Sequence, residues 1–131
     1  MYTMKQACTA AEMPYETLKF YCNEGLVPNV KRGENNYRMF DEHDINWIKS
    51  LACLKKCGMS IAEMKEYLAL CLQGESSIPQ RQVLLEKYRL ELEKKLEDIK
   101  KQLEFIDWKQ GFYSDVLAGR VKYHSDLIAV E

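Results

Sequence analysis

Chemistry in this chain of 131 residues is concentrated in a run of rings beside cations and in a set of thiols. From Thr17 to Phe40 the sequence reads TLKFYCNEGLVPNVKRGENNYRMF. Phe20 and Tyr21 precede a sharp turn at Glu24-Gly25, and the apolar step Leu26-Val27-Pro28 follows it. Lys31, Arg32, Tyr37 and Arg38 lie beyond, among Gly and Asn. Aromatic rings mixed with cations and amides suit a surface that grips a nucleic-acid backbone better than they suit a catalytic pocket. No nucleophile–base pair, P-loop or metal-binding helix motif is recognisable, and His43 and His124 lie far apart in the chain. The expectation is a protein that is not an enzyme, with no catalytic residue, no cofactor and no metal.

The thiols are Cys8, Cys22, Cys53, Cys57 and Cys71. Their number is odd and their contexts are helix-like, so they read as reduced thiols rather than a secreted disulfide framework. Lys49 stands four residues before Cys53 and Lys56 three after it. On a helix both are near enough to stabilise a thiolate. Cys57 falls on the same side, and a disulfide between it and Cys53 would strain a regular helix. The bland alternative is that Cys53 packs as a small hydrophobe. Hydrophobic residues make up 47% and charged residues 30% of the chain. No apolar run approaches the roughly 18 residues of a membrane span, and no signal-peptide pattern opens the sequence, which points to the cytoplasm. A net charge of −1 argues against a protein that coats nucleic acid indiscriminately, so if DNA is the partner, local geometry must supply the grip.

These residues need elements to position them. Residues 4–11 are expected to form a short helix with Ala7, Cys8 and Ala11 inward. Pro14 suits the first position of a second helix, with Leu18 and Tyr21 on its inner face and Thr17 and Lys19 more outward. Two short helices with a tight connection make a helix-turn-helix candidate. Gly25 closes the second helix, and the turn-compatible loop from Asn29 to Asn36 fits a two-stranded wing. Asp41 is a good N-cap for a helix over 42–57 whose stripe is Trp47, Ile48, Leu51 and Leu54. Gly58 stops that helix. Ser60-Ile61-Ala62-Glu63 is a capping box for a fourth over 61–72, with Met64, Leu68 and Leu72 buried. The expected division is a DNA-binding domain over 1–74, a linker over 75–79, a dimerisation helix over 80–110 and a tail over 111–131.

In the long helix Leu85, Leu92, Ile99 and Ile106 recur every seven residues, with Leu96 and Leu103 four after the second and third. Nothing in the same chain is large enough to cover this stripe, so a coiled-coil homodimer is the economical reading. Gly111 is expected to mark the exit into the tail.

The opening YTMKQACTAAEMPYETLKFYCNEGLVP, the NNYRMF wing, the KKCGMS helix end, its IAEMKEYL sequel and the long helix, in this order, resemble the MerR family of bacterial transcription regulators. The family's Arg-Tyr-Tyr triplet is Lys19-Phe20-Tyr21 here, and its Gly-Tyr-Arg is Asn36-Tyr37-Arg38. Asn accepts left-handed backbone angles, whereas Lys keeps the charge of Arg without its fork. The resemblance implies an all-α fold with a small β wing, and a dimer joined by an antiparallel coiled coil. It implies binding to a palindromic element of double-stranded promoter DNA, beside RNA polymerase holoenzyme. Such regulators bend and untwist an overlong spacer between promoter elements when an effector is sensed. The DNA-contacting positions it implies are Thr3, Tyr15, Thr17, Lys19, Tyr21, Lys31, Tyr37 and Arg38.

The position of Cys53 resembles that of the helix cysteine in the thiol-based, aldehyde- and electrophile-responsive branch. Metal-sensing members carry cysteines at and beyond the end of the dimer helix, whereas none follows Cys71 here. Sensing is therefore expected at Cys53 acting alone by adduct formation, with a role for Cys57, or a metal held by Cys53 and Cys57 together, as the lesser alternatives. The competing reading is a reversible apolar ligand lined by Tyr67, Tyr88, Trp108, Phe112 and Tyr113. A coiled-coil interaction protein is the alternative from another class, and it leaves the wing loop without a role.

Overall fold

A computed structural model of the chain describes residues 1–130. Its contacts divide the chain into two compact units, Met1–Arg89 and Leu90–Glu131. The first unit opens with a strand β1 (Tyr2–Thr3) and two short helices, α1 (Met4–Ala11) and α2 (Tyr15–Asn23). The wing follows as β2 (Lys31–Arg32), a 3-10 turn over Glu34–Asn36, and β3 (Arg38–Phe40). Helices α3 (Glu42–Lys56) and α4 (Ile61–Leu72) complete the helical layer. A second 3-10 turn, Glu75–Ser77, leads into α5 (Ile78–Leu117), a helix of 40 residues that begins in the first unit.

Local chemistry sets these boundaries. Thr3 caps α1 with a capping box to Gln6, and Glu12 leaves the helix in the left-handed region at φ 52°. Asp41 and Ser60 cap α3 and α4, each reciprocated by the carboxylate three residues on, Asp44 and Glu63. Such pairs satisfy amide donors that no helix can satisfy by itself. Gly25 at φ 76° and Gly58 at φ 99° supply the backbone that turns the chain out of α2 and α3. Pro14 sits at the N-cap of α2, one position before the expected one.

The expected two-stranded wing is one part of a three-stranded antiparallel sheet, ordered β1-β3-β2. Tyr2 pairs with Phe40 and Thr3 with Met39, which closes the second edge of β3 with the chain's first residues. Period-2 patterning is invisible in a strand of two residues, so β1 could not be read from sequence.

One core holds the unit together. Leu18 and Tyr21 of α2, Ile45, Ile48, Leu51 and Leu54 of α3, and Met64 and Leu68 of α4 are all buried around Phe40 of the wing. Each such aliphatic side chain is worth about 1.5–3 kcal/mol when removed from water. Trp47 works differently: its indole Nε1 donates to the Leu26 carbonyl oxygen at 2.7 Å, and its ring stacks on Tyr67 with centroids 6.3 Å apart. Leu72, expected on the buried face of α4, is 64% exposed because α4 ends there and the chain turns away.

The segment expected as a linker is a tightly bonded elbow. The buried Ser77 hydroxyl bonds the carbonyls of Leu70 and Gly74, and Arg81 returns to Ser77 Oγ at 2.9 Å and to Gly74 O. Leu84 and Tyr88 on the first turns of α5 pack into the core, and the Tyr88 hydroxyl meets the Glu63 carboxylate. At the far end α5 runs through Gly111 and stops near Gly119, at φ 76°. One interior glycine costs a helix about 1 kcal/mol, too little to end one supported by turns on both sides. No helix among the described residues is long and apolar enough to cross a membrane.

Candidate nucleic-acid interface

Helix α2 has two unlike sides. Leu18 and Tyr21 enter the core, while Tyr15, Glu16, Lys19, Phe20 and Asn23 form a continuous exposed arc. Spacing of three and four residues puts Tyr15 beside Lys19, Glu16 beside Phe20, and Phe20 beside Asn23. Tyr15 is 50% and Phe20 46% exposed, unusual for rings in so small a domain. Thr17 stands half-buried at the arc's edge, on a groove of about 470 Å³ between α2 and the start of α4. Phe20, Lys55, Met59, Ser60 and Ile61 share that groove.

The wing is braced against this arc. Arg38 donates from Nη2 to Asn23 Oδ1 at 2.6 Å, joining β3 to the last residue of α2. Arg32 lies opposite Arg38 in the sheet, and its Nη1 donates to the Asn36 carbonyl oxygen at 2.9 Å across the wing tip. The tip itself depends on left-handed backbone at Asn35 (φ 62°) and Asn36 (φ 63°). Asn36 thus takes the angle that glycine would otherwise supply. Tyr37 follows it, 71% exposed.

The eight expected contact residues therefore separate into three groups. Tyr15 and Lys19 are exposed on the arc of α2 with Thr17 at its edge, Tyr37 is exposed on the wing, and the half-buried Arg38 joins the two through Asn23. Thr3 is exposed, and its Oγ1 accepts from the Gln6 amide at 3.2 Å, so the hydroxyl proton stays free for a further acceptor. Lys31 and Tyr21 depart from expectation. The Lys31 ammonium is held by Asp41 at 2.7 Å and by the buried Asp44 at 2.9 Å, which makes it an anchor of the wing rather than an outward cation. Tyr21 is 1% exposed and its hydroxyl is covered without a hydrogen-bond partner, so it is a core residue whose pKa burial pushes up. The alternation of α2 already put Tyr21 inward, and that signal outweighs its place in the triplet. Arg32 and Asn23 were not among the expected site residues. Their roles come from the wing folding back on α2, which no local pattern announces.

The thiols also separate. Cys53 is exposed on α3, with Cys57 half-buried at its C-cap. Burial pushes the pKa of Cys8 and of Cys22 up, against a smaller opposing pull on Cys22 from Arg38 and Arg32. Among the described residues no group of three or more His, Cys, Asp or Glu side chains could hold a metal ion.

Two short helices joined by a tight turn, an outward second helix and a basic wing braced beside it define a winged helix-turn-helix module. Residues 2–71 match the family model described as MerR HTH family regulatory protein. An uncharacterized HTH-type transcriptional regulator of Haemophilus influenzae is 34% identical over 92% of this chain and 90% of its own length. The regulator AdhR of Bacillus subtilis is 38% identical over 53% of this chain and 49% of its own. Among solved structures, HiNmlR, a MerR family regulator lacking the sensor domain and bound to promoter DNA, superposes with a TM-score of 0.75. It shares 32% identity over 89% of this chain and 93% of that one. A MerR family regulator from Bacillus thuringiensis gives a TM-score of 0.72 at 27% identity, over 86% of this chain and 98% of that one. The chain belongs to the MerR family of helix-turn-helix transcriptional regulators.

The wing anchor carries a pH signature. The Lys31 ammonium, followed by the Asp44 amide, lowers the Asp41 carboxyl from its ordinary 3.8 to about 2. A lowered carboxylate stabilises the fold fully above its ordinary value, and that stabilisation is lost as pH falls through about 2. Carboxyl-carbon NMR of Asp41 should give a midpoint near 2 in the wild type and a higher one in Lys31→Met. Equal midpoints in the two proteins would remove the anchor.

Proposed function

We propose that this regulator works as a homodimer on a palindromic promoter element, with the arc of α2 toward the major groove and the wing on the phosphates. The observation that carries this reading is the exposed Tyr15, Lys19 and Tyr37 together with the half-buried Arg38, whose bond to Asn23 ties the wing to the end of α2. HiNmlR, bound to promoter DNA in its own structure, supports the same orientation by likeness. Fixed cations and rings on a rigid frame spend little entropy on binding, which offsets the energy of deforming an overlong spacer. RNA polymerase holoenzyme would meet the realigned promoter elements. Arg38→Ala should weaken binding to every sequence alike and lower the salt slope by about one. Loss confined to a single base pair would contradict a phosphate role.

The dimer is proposed to form through α5 as an antiparallel coiled coil. Leu85, Leu92, Leu96, Ile99, Leu103 and Ile106 are between 38% and 55% exposed, on the stripe where the heptad spacing puts them. A stripe of that size has its natural cover in a second copy. Ile99→Asp should give a monomer in sedimentation and abolish tight operator binding. A dimer that persists in this variant would move the interface elsewhere.

The effector is proposed to be an electrophile, sensed at Cys53. Exposure favours this thiol over Cys8 and Cys22, whose burial disfavours the thiolate that reacts. In transcription reactions with purified protein, an aldehyde should activate the wild type and leave Cys53→Ser inert. Equal activation of both would return the question to a reversibly bound ligand.

A further inference from the structure

Cys53 is not isolated on its helix. Lys49 and Lys56, both exposed, flank it on α3, and neither makes an ion pair among the described residues. Helical side chains lean back toward the N-terminus, over the turn before their own Cα. Lys56 therefore lies over Cys53, three residues earlier, whereas Lys49 leans away from it toward the start of α3. Neighbours at this spacing have Cβ atoms about 5–6 Å apart, a gap that the long lysine stem closes easily. Cys57 also leans over Cys53 but is half-buried at the helix end.

We propose that Cys53 and Lys56 form a two-nucleophile site for a one-carbon aldehyde, closed by a methylene bridge. This deepens the reading of Cys53 as the sensing thiol and rests on it. In the first step the Cys53 sulfur bonds to the carbonyl carbon, and its proton passes to the carbonyl oxygen, giving a hydroxymethyl thioether. In the second step the Lys56 amine, as its free base, bonds to that carbon. The hydroxyl leaves as water, carrying a proton from the amine. No oxidant or reductant is required, and the product is Sγ–CH2–Nζ.

The bridge accounts for selectivity in chemical terms. An electrophile that alkylates the thiol leaves no leaving hydroxyl on the attached carbon, so Lys56 gains nothing to attack. The reversible first adduct becomes a longer-lived signal only when the second bond forms. That bond spans the last turn of α3, beside Lys55, which lines the groove shared with Thr17 and Phe20 of α2.

The test uses the full-length protein with one equivalent of formaldehyde, intact and peptide mass spectrometry, and transcription in parallel. The wild type and Lys49→Arg should gain the mass of one carbon, mapped to a peptide joining residues 53 and 56. Lys56→Arg, which keeps the charge and removes the primary amine, should retain only the whole-aldehyde adduct at Cys53, and that adduct should be lost on dilution together with the transcriptional response. Cys53→Ser should show neither product. A one-carbon bridge to Cys57 or Lys49, or a sustained response in Lys56→Arg, overturns the bridge while leaving Cys53 as sensor. A wild type whose Cys53 takes up no aldehyde overturns both.

Discussion

One small knot of charge holds the wing of this molecule against its helical core. Lys31 of β2 reaches the Asp41 carboxylate, which caps α3, and the buried Asp44, which completes the same capping box. The cation thus neutralises two carboxylates that the helix start requires, and the helix start fixes the strand that carries the cation. Asp44, 3% exposed, would otherwise be a buried charge, which is expensive without a partner. The wing cannot drift from the helical core without exposing that cost. Tyr37 and Arg38, on the same wing as Lys31, share this anchoring, and Arg38 adds its own bond to Asn23 of α2.

Much of this was legible in the sequence, for identifiable reasons. The four helices of the first unit announce themselves through caps and stripes: Asp41, Ser60, and the spacing of Ile48, Leu51 and Leu54. The turn glycines Gly25 and Gly58 sit where positive φ is needed. What sequence could not supply was partnership over distance. Lys31 reads as one more wing cation until Asp41 and Asp44 are found beside it. Arg38 and Asn23 meet only once the wing has folded back. Ser77 reads as linker because its bonds go to backbone carbonyls, which have no sequence signature. Gly111 misled for the opposite reason, since a residue that commonly ends helices sits in a long one whose neighbouring turns outweigh its cost.

The thiols illustrate how environment sorts chemically identical groups. Five cysteines share one intrinsic reactivity, and burial withdraws Cys8 and Cys22 from it. Cys53 keeps solvent around it, with the Lys56 amine one turn on. Its helix is also a central one in this fold, because α1 and the wing strand β3 both pack against α3.

The elbow between α4 and α5 has a mechanical meaning. Ser77, Arg81 and Gly74 leave no slack at the junction, and Tyr88 joins α5 to Glu63, whose other oxygen holds the Ser60 amide at 3.1 Å. Ser60 in turn borders the groove edged by Thr17. A torque on the first turns of α5 is therefore not dissipated in a flexible hinge. It is delivered, as through a short crank, to the rim of α2, the outward helix of the helix-turn-helix.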